Sequence, residues 1–276
     1  MKKIITTIIL LAYFGMAHAQ DRMFAYTYQS NVLNKGDFDL EFQNELKTGK
    51  VGDFSPYVFG QRLNQRLEFE IGLGSNIQTS FYLNSELFNY ADTASSGLNQ
   101  KLKISFSNEW KWKLSDPVAN AVGFTIYEEL EFGGNNYESE TKLIFDKRIA
   151  NELFALNLVG KYEFEREITR INEVTKATWT YNRPVELYFG YMHFFNPKKG
   201  FGIEISNQND ITKEGGWMNS VLFAGPSFFT SVNKFFINIS VLPQLANLHK
   251  TIYAPGNHDL NDFEAAEIRV LVGYDF

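Results

Sequence analysis

The sequence predicts an all-β protein, a transmembrane antiparallel up-and-down β-barrel of 12 strands. Three observations lead to this fold class. Apolar and polar residues alternate along most of the chain, in segments longer than the usual strand of about 5 to 6 residues. The chain opens with a leader typical of export. No later stretch reaches the roughly 18 consecutive apolar residues of a membrane-spanning helix.

The leader is the stretch MKKIITTIILLAYFGMAHAQ at the start of the chain. Lys2 and Lys3 precede a mainly apolar run from Ile4 to Met16, and a small-residue site ends at Ala19. This pattern predicts a signal peptide over residues 1–19, cleaved after Ala19. The alternative, an uncleaved anchor, is disfavoured because the run is shorter than the ~20 apolar residues of a spanning helix.

Composition limits the function classes. The chain of 276 residues has 26 Lys and Arg and 32 Asp and Glu, so losing Lys2 and Lys3 changes the net charge from −6 to −8 (24 minus 32). An acidic chain lacks the basic surface of a nucleic-acid-binding protein. The chain has no Cys, which excludes disulfides and thiolate metal sites. With 26 Phe, 14 Tyr and 4 Trp but a mean hydropathy of −0.25, its apolar residues are expected to be sorted by alternation.

The strands follow from this alternation. In DFDLEFQNELK, Phe38, Leu40 and Phe42 share one parity and Asp39 and Glu41 the other, and side chains of opposite parity lie on opposite faces of a strand. The predicted strands are residues 36–49, 53–73, 76–89, 98–113, 121–133, 138–150, 152–166, 178–195, 200–208, 217–230, 234–247 and 262–276. The second is overlong, and a split near Asn64 and Gln65 would give 13 strands. We retain 12 because bacterial single-chain barrels have even numbers.

The connections alternate between short turns and longer polar loops. The long class comprises residues 90–97, 167–177, 209–216 and 248–261. Outer-membrane barrels have short turns on the periplasmic side and long loops outside, so both termini are expected in the periplasm. Residues 20–35 are predicted to be a periplasmic lead-in to a barrel over residues 36–276. Phe24, Tyr26 and Tyr28 also alternate, which leaves an extra strand or a short plug as alternatives.

Three stretches, Arg66–Asn84, Trp110–Gly134 and Lys142–Glu167, resemble outer-membrane β-barrel porin-like families. The group they resemble is the porin/α-amylase-like proteins, which include those named for the meta-pathway of phenol degradation. Members carry a turn reading Glu-x-x-x-Gly-Leu-Thr-Asp-Arg, where this chain has Glu70, Gly72, Leu73, Gly74, Ser75 and Asn76. The resemblance covers about half of the chain and implies a transmembrane barrel with passive transport. The α-amylase label is not transferred, because nothing in the chain resembles a (β/α) barrel.

Charged residues on the polar parity are predicted to line the lumen, because a cation facing lipid at mid-depth costs ~2 to 4 kcal/mol. The residues are Lys101, Lys103, Glu109, Glu129, Glu131, Lys161, Glu163, Glu165, Glu186, Glu204, Glu267 and Arg269. One interpretation is a water-filled pore whose acidic excess favours cations. The other is an interior filled by ion pairs that conducts little. Glu128 falls on the apolar parity, which indicates a bulge or a strand end at the interface.

An enzyme would need a nucleophile, a base and an orienting group, and His is the usual base. His193, His249 and His258 follow the leader; His193 is expected at the periplasmic interface and the other two in the last long loop. His258, Asp259, Asp262 and Glu264 lie close together in sequence, but their spacing matches no metal motif. We therefore predict no catalytic residues, no metal and no cofactor.

Aromatic residues at strand ends are predicted to form interfacial belts in contact with outer-membrane lipid. They are Trp110, Trp112, Trp179, Tyr181, Trp217, Tyr274 and Phe276. An aromatic at the end of the last strand resembles the signal by which the barrel assembly machinery recognises outer-membrane proteins.

The first functional hypothesis is therefore an outer-membrane porin-like channel for passive diffusion of small solutes in a Gram-negative bacterium. The second is a non-conducting structural or binding barrel that acts through its extracellular loops, and the third a lipid-modifying enzyme.

Overall fold

A computed structural model describes residues 22–50, 60–91, 98–171, 174–211 and 216–276. The predicted signal peptide, residues 1–19, lies outside these ranges. The described residues form 13 strands and include no helix that is long and apolar enough to cross a membrane. The strands are β1 (Phe38–Lys50), β2 (Gly60–Gly74), β3 (Ile77–Ala91), β4 (Leu98–Ser115), β5 (Gly123–Gly133), β6 (Asn136–Ile149), β7 (Glu152–Ile171), β8 (Val174–Asn182), β9 (Val185–Asn196), β10 (Lys199–Ile211), β11 (Trp217–Val232), β12 (Phe235–Asn247) and β13 (Ala266–Asp275).

Twelve of these strands close into an antiparallel barrel. Each strand pairs with its neighbours in sequence from β1 to β7 and from β9 to β13, and β7 pairs with β9. The ring closes between β1 and β13, with Asp39 opposite Asp275 and Thr48 opposite Ala266. The predicted fold class, a 12-stranded antiparallel barrel, is confirmed. The described part of the overlong second strand is one continuous strand, without a break at Asn64 and Gln65.

The thirteenth strand, β8, pairs with β7 beyond β9, so it extends one position of the ring toward the end of the barrel that carries the long loops and adds no further strand to the ring. It and β9 together correspond to the predicted strand 178–195, which is interrupted at Arg183 and Pro184. Proline has no N–H to donate to a ladder, so a strand is prone to break there. β8 pairs with the outer half of β7, so much of the predicted loop 167–177 is strand instead. β-branched and aromatic residues of β8, such as Thr178, Trp179 and Thr180, favour a strand there.

The two ends of the barrel differ in their connections. Tight turns join β2 to β3, β6 to β7 and β11 to β12, with positive φ at Ser75, Asn76, Ala150 and Asn233, as two-residue hairpin turns require. We call this the short-turn end. The opposite, long-loop end includes the 18-residue connection between β12 and β13. This arrangement agrees with the predicted alternation of short and long connections in part: much of the predicted loop 167–177 is strand, and at the long-loop end β5 and β6 are joined by Gly134 and Asn135 alone.

The two faces of the wall separate apolar from polar residues. Outward-facing Phe81, Leu83 and Phe106 are each about half exposed, whereas inward-facing Glu41 and Glu68 are buried. Glu128 contradicts its prediction, because it lies within β5 on the outward face in a regular pair with Trp110, neither at a bulge nor at a strand end. Its carboxylate accepts hydrogen bonds from Ser139 Oγ (2.8 Å) and Thr141 Oγ1 (2.5 Å) on β6, which explains how it is accommodated there.

The N-terminal segment enters the barrel. Phe24, Ala25 and Thr27 are fully buried, and their partners lie on inward positions of the wall. The prediction that residues 20–35 are a periplasmic lead-in is therefore wrong for the described residues 22–35, which we call the plug. The described residues instead form the short plug, one of the two alternatives. The inward side of the wall offers hydrogen-bond partners to the plug's backbone and apolar contacts to its side chains, and bulk water offers no such apolar contacts.

Candidate functional site

A cavity of about 790 Å³ occupies the half of the barrel nearer the long-loop end. Tyr26 and Tyr28 of the plug belong to its lining and form its floor. Its mouth is lined by strand ends, including Lys50, Arg62 and Thr180. A cavity with polar walls of this size can hold water and a small solute.

Charges are distributed unevenly around the cavity. Its lining contains nine Lys or Arg side chains and thirteen Asp or Glu side chains, an excess of four negative charges. Strands β1 to β4 contribute six of the cations and two of the carboxylates. Strands β5 to β10 contribute two of the cations and eight of the carboxylates. The cavity therefore has a basic wall facing an acidic wall.

Many of these charges form ion pairs. Arg66 reaches across from β2 to Glu129 (2.9 Å), and Arg269 pairs with Glu45 (2.7 Å). Lys161 lies 3.1 Å from Glu140 and 3.5 Å from Glu186. These pairs bury the carboxylates of Glu45, Glu129 and Glu140, so the attraction within them mainly offsets the cost of burying the charges. They do fix the side chains against the wall and leave the centre of the cavity open.

Other charges have no ion pair with a described residue: Lys101, Lys103, Glu131, Glu163 and Glu165. Ser105 Oγ donates to Glu131 (2.7 Å), and Lys103 Nζ lies 5.0 Å from the Phe88 ring. These five groups face the cavity near its mouth. Such charges remain available to attract or repel a passing ion.

The twelve predicted lumen residues are divided between two levels. The cavity is lined by Lys101, Lys103, Glu129, Glu131, Lys161, Glu163, Glu165, Glu186, Glu267 and Arg269. Glu109 and Glu204 lie deeper, nearer the short-turn end, and both are fully buried. Glu109 accepts a hydrogen bond from Ser80 Oγ (3.2 Å) and pairs with Lys111 (3.0 Å), and Tyr82 Oη also contacts it.

Glu204 anchors the plug. Its carboxylate accepts hydrogen bonds from the backbone N–H groups of Ala25 (3.1 Å), Tyr26 (2.9 Å) and Thr27 (2.7 Å). Ser240 Oγ also donates to it (2.5 Å). A carboxylate that accepts several N–H bonds offsets the cost of its own burial. The same bonds satisfy backbone groups that the plug would otherwise bury without partners.

Other wall residues hold the rest of the plug. Tyr28 N–H donates to Asn157 Oδ1 (2.6 Å), and Asn157 Nδ2 donates to Tyr28 O (2.9 Å). Leu33 N–H donates to Gln78 Oε1 (2.8 Å). Arg269 on β13 stacks on a plug tyrosine, with its Cζ 3.8 Å from the Tyr26 ring centroid. The plug is thus held along its length by inward-facing side chains.

An apolar pocket at the short-turn end receives Phe24, which has no exposed surface. The pocket is formed by Leu153, Ala155, Met192, Phe194, Phe229, Phe236 and Leu271, from five strands. A Cβ on Gly190 would lie 2.9 Å from the Phe24 ring, so glycine makes room for it. The sequence interpretation missed this pocket. The available signal was apolar residues such as Met192 and Leu271 on the lumen parity of Glu186 and Arg269.

Glu41, Glu68 and Glu70 place carboxylate oxygens within 4.8 Å of one another, a spacing that a metal ion would also need. Arg22 pairs with Glu41 (3.3 Å) and Lys111 with Glu70 (3.3 Å). Tyr82 Oη donates to Glu68 (2.6 Å). Each of the three carboxylates already has a hydrogen-bond donor or a cation. The group is therefore explained as an ion-pair network that joins Arg22 of the plug to the wall.

In the last long loop, between β12 and β13, the side chain of Asp259 points toward the backbone of the loop itself. Asp259 is buried and accepts hydrogen bonds from the N–H groups of Asn261 and Asp262, both at 3.2 Å. Burial raises the pKa of the Asp259 carboxyl, against the opposing effect of these donors. Gln244 holds the loop by pairing with the backbone of Asp259 (2.7 and 3.0 Å). The proximity of Asp259 to His258 in sequence thus reflects loop structure.

Two of the three histidines that follow the leader have identifiable contacts. His193 pairs with Glu152 (2.7 Å) at the short-turn end and packs against the Phe195 ring. His249 stacks on Trp217, with ring centroids 5.8 Å apart. These contacts are those of residues at the rim of a barrel.

The predicted belt aromatics lie at the two ends of the wall. At the short-turn end Trp110 stacks on Trp112, and Tyr274 contacts Phe276 with centroids 5.0 Å apart. At the long-loop end Trp179 and Trp217 are more than half exposed, and Tyr181 packs against Phe164. All seven side chains are therefore at strand ends and at least partly accessible.

Solved structures with a similar architecture include an outer-membrane channel and an autotransporter translocator domain. The COG4313 outer membrane channel from Pseudomonas putida F1 is 12% identical, with a TM-score of 0.58 over 90% of this chain and 98% of that one. The translocator domain of autotransporter NalP from Neisseria meningitidis is 9% identical, with a TM-score of 0.58 over 100% of this chain and 96% of that one. At such identities the likeness shows the fold, which is that of outer-membrane proteins.

A search of curated proteins finds no match. The resemblance to the group named for the meta-pathway of phenol degradation stays a prediction from the sequence. One family model matches residues 16–276, nearly the whole chain. The chain therefore belongs to the family of unknown function DUF6662.

Proposed function

We propose that the protein is an outer-membrane channel for the passive diffusion of small solutes, exported by a cleaved signal peptide and closed at the short-turn end by its plug. The observation that carries the proposal is the 790 Å³ cavity with a lining excess of four carboxylates. A lumen lined by fixed charges selects ions by sign. The channel is therefore expected to prefer cations and polar solutes with a positive group. The resemblance to transport proteins of the meta-pathway group is consistent with this role.

Passage through the barrel requires the plug to move. Hydrogen bonds and ion pairs join the plug to the wall, together with the Phe24 contact, and no covalent link does, since the chain has no cysteine. Lumen water can replace the polar contacts when the plug withdraws. Conduction is then governed by the equilibrium between a seated and a released plug.

The same plug favours a second candidate, a non-conducting barrel that acts through its extracellular loops. In that case the buried hydrogen bonds of Glu204 and Asn157 hold the plug permanently in place. The 18-residue connection between β12 and β13, with Ile252 and Tyr253 largely exposed, would then supply the binding surface. Conductance separates the two candidates.

The test is single-channel recording of the purified protein in planar bilayers. Wild type is expected to show brief cation-selective openings, and a variant lacking residues 22–35 larger and longer ones. Replacing Glu163 and Glu165 by Gln is expected to shift the reversal potential in a salt gradient toward zero, because both face the cavity without an ion pair. Glu152→Gln at the short-turn rim is the matched control. If neither wild type nor the deletion variant shows channel openings at any voltage, the channel proposal is overturned.

A further inference from the structure

The barrel wall has a gap at the long-loop end. Strands β5 and β6 stop at Gly133 and Asn136, level with Ser105 on β4 and Glu165 on β7. The flanking strands continue, over residues 98–104 of β4 and 166–171 of β7. Among the described residues, these two stretches have strand partners on one side only. Three strand spacings of about 4.8 Å make the gap about 14 Å wide before twisting.

The cavity reaches the edges of this gap. Its lining includes consecutive runs on all three sides: Lys101–Ser105 on β4, Gly133–Glu138 at the top of the short hairpin, and Glu163–Glu165 on β7. In each run, both the inward-facing and the outward-facing residues line the cavity. A cavity enclosed by a complete wall would be lined there by alternate residues only. On this side, the rim of the cavity mouth is therefore the top of the β5–β6 hairpin, which lies closer to the short-turn end than the rim formed by β4 and β7.

Aromatic rings surround the hairpin top on the outward face. Phe132 and Tyr137 flank the turn, with centroids 6.3 Å apart, and Tyr137 lies 6.1 Å from Trp179. Leu102 and Ile104 on the β4 edge are more than half exposed. Amphipathic rings favour the boundary between lipid and water. The lower edge of the gap is thus at the depth of the outer-leaflet interface.

Charges of opposite sign stand on the two sides of the gap. Lys101 and Lys103 lie on the β4 side, and Glu163 and Glu165 on the β7 side, and none of the four forms an ion pair with a described residue. A head group with both a cation and an anion complements this arrangement. A single charge would be attracted by one side and repelled by the other.

We infer that the gap is a lateral mouth through which a single-chain amphiphile with a zwitterionic head group enters the cavity from the outer leaflet. The head group lies between the lysines of β4 and the glutamates of β7. The chain lies outside the gap against Leu102, Ile104 and Tyr137. This inference deepens the proposed channel function, on which it rests, by naming the chemical class of the solute.

The test compares decanoylcarnitine with carnitine, which has the same zwitterionic head group without the alkyl chain. Binding is measured by isothermal titration calorimetry on the full protein in lipid nanodiscs. We expect decanoylcarnitine to bind about 100-fold more tightly, because its chain stays in lipid while its head group occupies the cavity. A variant with the β5–β6 hairpin lengthened by three residues on each strand, inserted between Gly134 and Asn135, fills the gap. Its affinity ratio is expected to fall to about 10-fold or less.

Two controls accompany the comparison. The same insertion between Asn257 and His258, in the exposed last loop, should leave the ratio unchanged. Folding of each variant is checked by the difference in gel migration between boiled and unboiled samples. An unchanged ratio in the lengthened hairpin, or no binding of either compound to wild type, would overturn the lateral mouth. Conductance is measured separately, so loss of the channel proposal and loss of this inference are distinguishable.

A second variant avoids any change of the backbone. Replacing Lys101 and Lys103 by Gln removes the cations that face the carboxylate of the head group. Affinity for decanoylcarnitine is expected to fall about fivefold or more, while decyltrimethylammonium, which has no carboxylate, should not weaken. Lys147→Gln at the short-turn end is the matched control. Equal losses for both compounds, or none for either, would contradict the assignment of the two sides.

Discussion

Glu204→Gln should release the plug while leaving the barrel intact. In wild type each carboxylate oxygen of Glu204 accepts backbone and hydroxyl hydrogen bonds, Oε2 from Tyr26 and Thr27 and Oε1 from Ala25 and the hydroxyls of Ser227 and Ser240. The glutamine oxygen can replace Oε2, and its amide group then replaces Oε1. The Ser227 and Ser240 hydroxyls can rotate to accept from the amide, but Ala25 N–H has nothing to donate to.

The cost follows from these contacts. One hydrogen bond to a charged acceptor is lost outright, at about 1.5 to 3 kcal/mol, and those from Tyr26 and Thr27 lose their charged acceptor. We expect the seated plug to lose about 3 kcal/mol relative to the released plug. That is about a 100-fold increase in the ratio of released to seated plug. The barrel ladders contain no bond to this side chain.

The assay is the open probability in single-channel recordings, with Glu152→Gln as the control for the same chemical change outside the plug. Open probability is expected to rise strongly for Glu204→Gln and to stay at the wild-type level for the control. In a variant lacking residues 22–35, adding Glu204→Gln should have no further effect on open probability. If Glu204→Gln leaves the open probability unchanged while the deletion raises conductance, the reasoning about the anchor is refuted.

Three further predictions concern the plug and the terminus. Phe24→Ala should also favour release, by up to about 3 to 5 kcal/mol, since it empties a fully buried pocket; open probability measures this, with the exposed Phe132→Ala as control, and equal effects would contradict it. Gly72→Ala places a Cβ 1.9 Å from Asn34 O, so hydrogen exchange over residues 30–35 should accelerate, whereas Gly134→Ala, with open space around it, should not change it. Deleting Phe276 should lower surface yield much more than it alters the folded barrel, and a normal yield would argue against a role in recognition by the assembly machinery.

Much of the barrel was predictable because strand alternation is a local property. The alternation of Phe38 and Leu40 with Asp39 and Glu41 determines which face each residue takes, whatever the neighbouring strands are. This alternation predicted the twelve strands and the polar face of each. It also predicted that charged residues such as Glu204 and Glu267 point inward. The break at Pro184 and the extension of β7 altered boundaries without changing the number of strands in the ring.

The plug and the gap depended on residues far apart in sequence. The alternation of Phe24, Tyr26 and Tyr28 is equally consistent with a strand, a lead-in or a plug. What decided between them is a set of partners from different strands, including Glu204, Asn157 and the apolar pocket around Phe24. The gap likewise depends on a comparison of strand lengths, because a short β5–β6 hairpin matters only beside long β4 and β7 strands.

The sequence by itself therefore determined the class of fold and the two faces of its wall, since these depend on the period of side chains along one strand. Only the tertiary structure decided what occupies the lumen and where the mouth lies. Those features arise from closure of the ring, which brings β10, β7 and β13 around a common axis and provides the plug with partners that no local pattern contains.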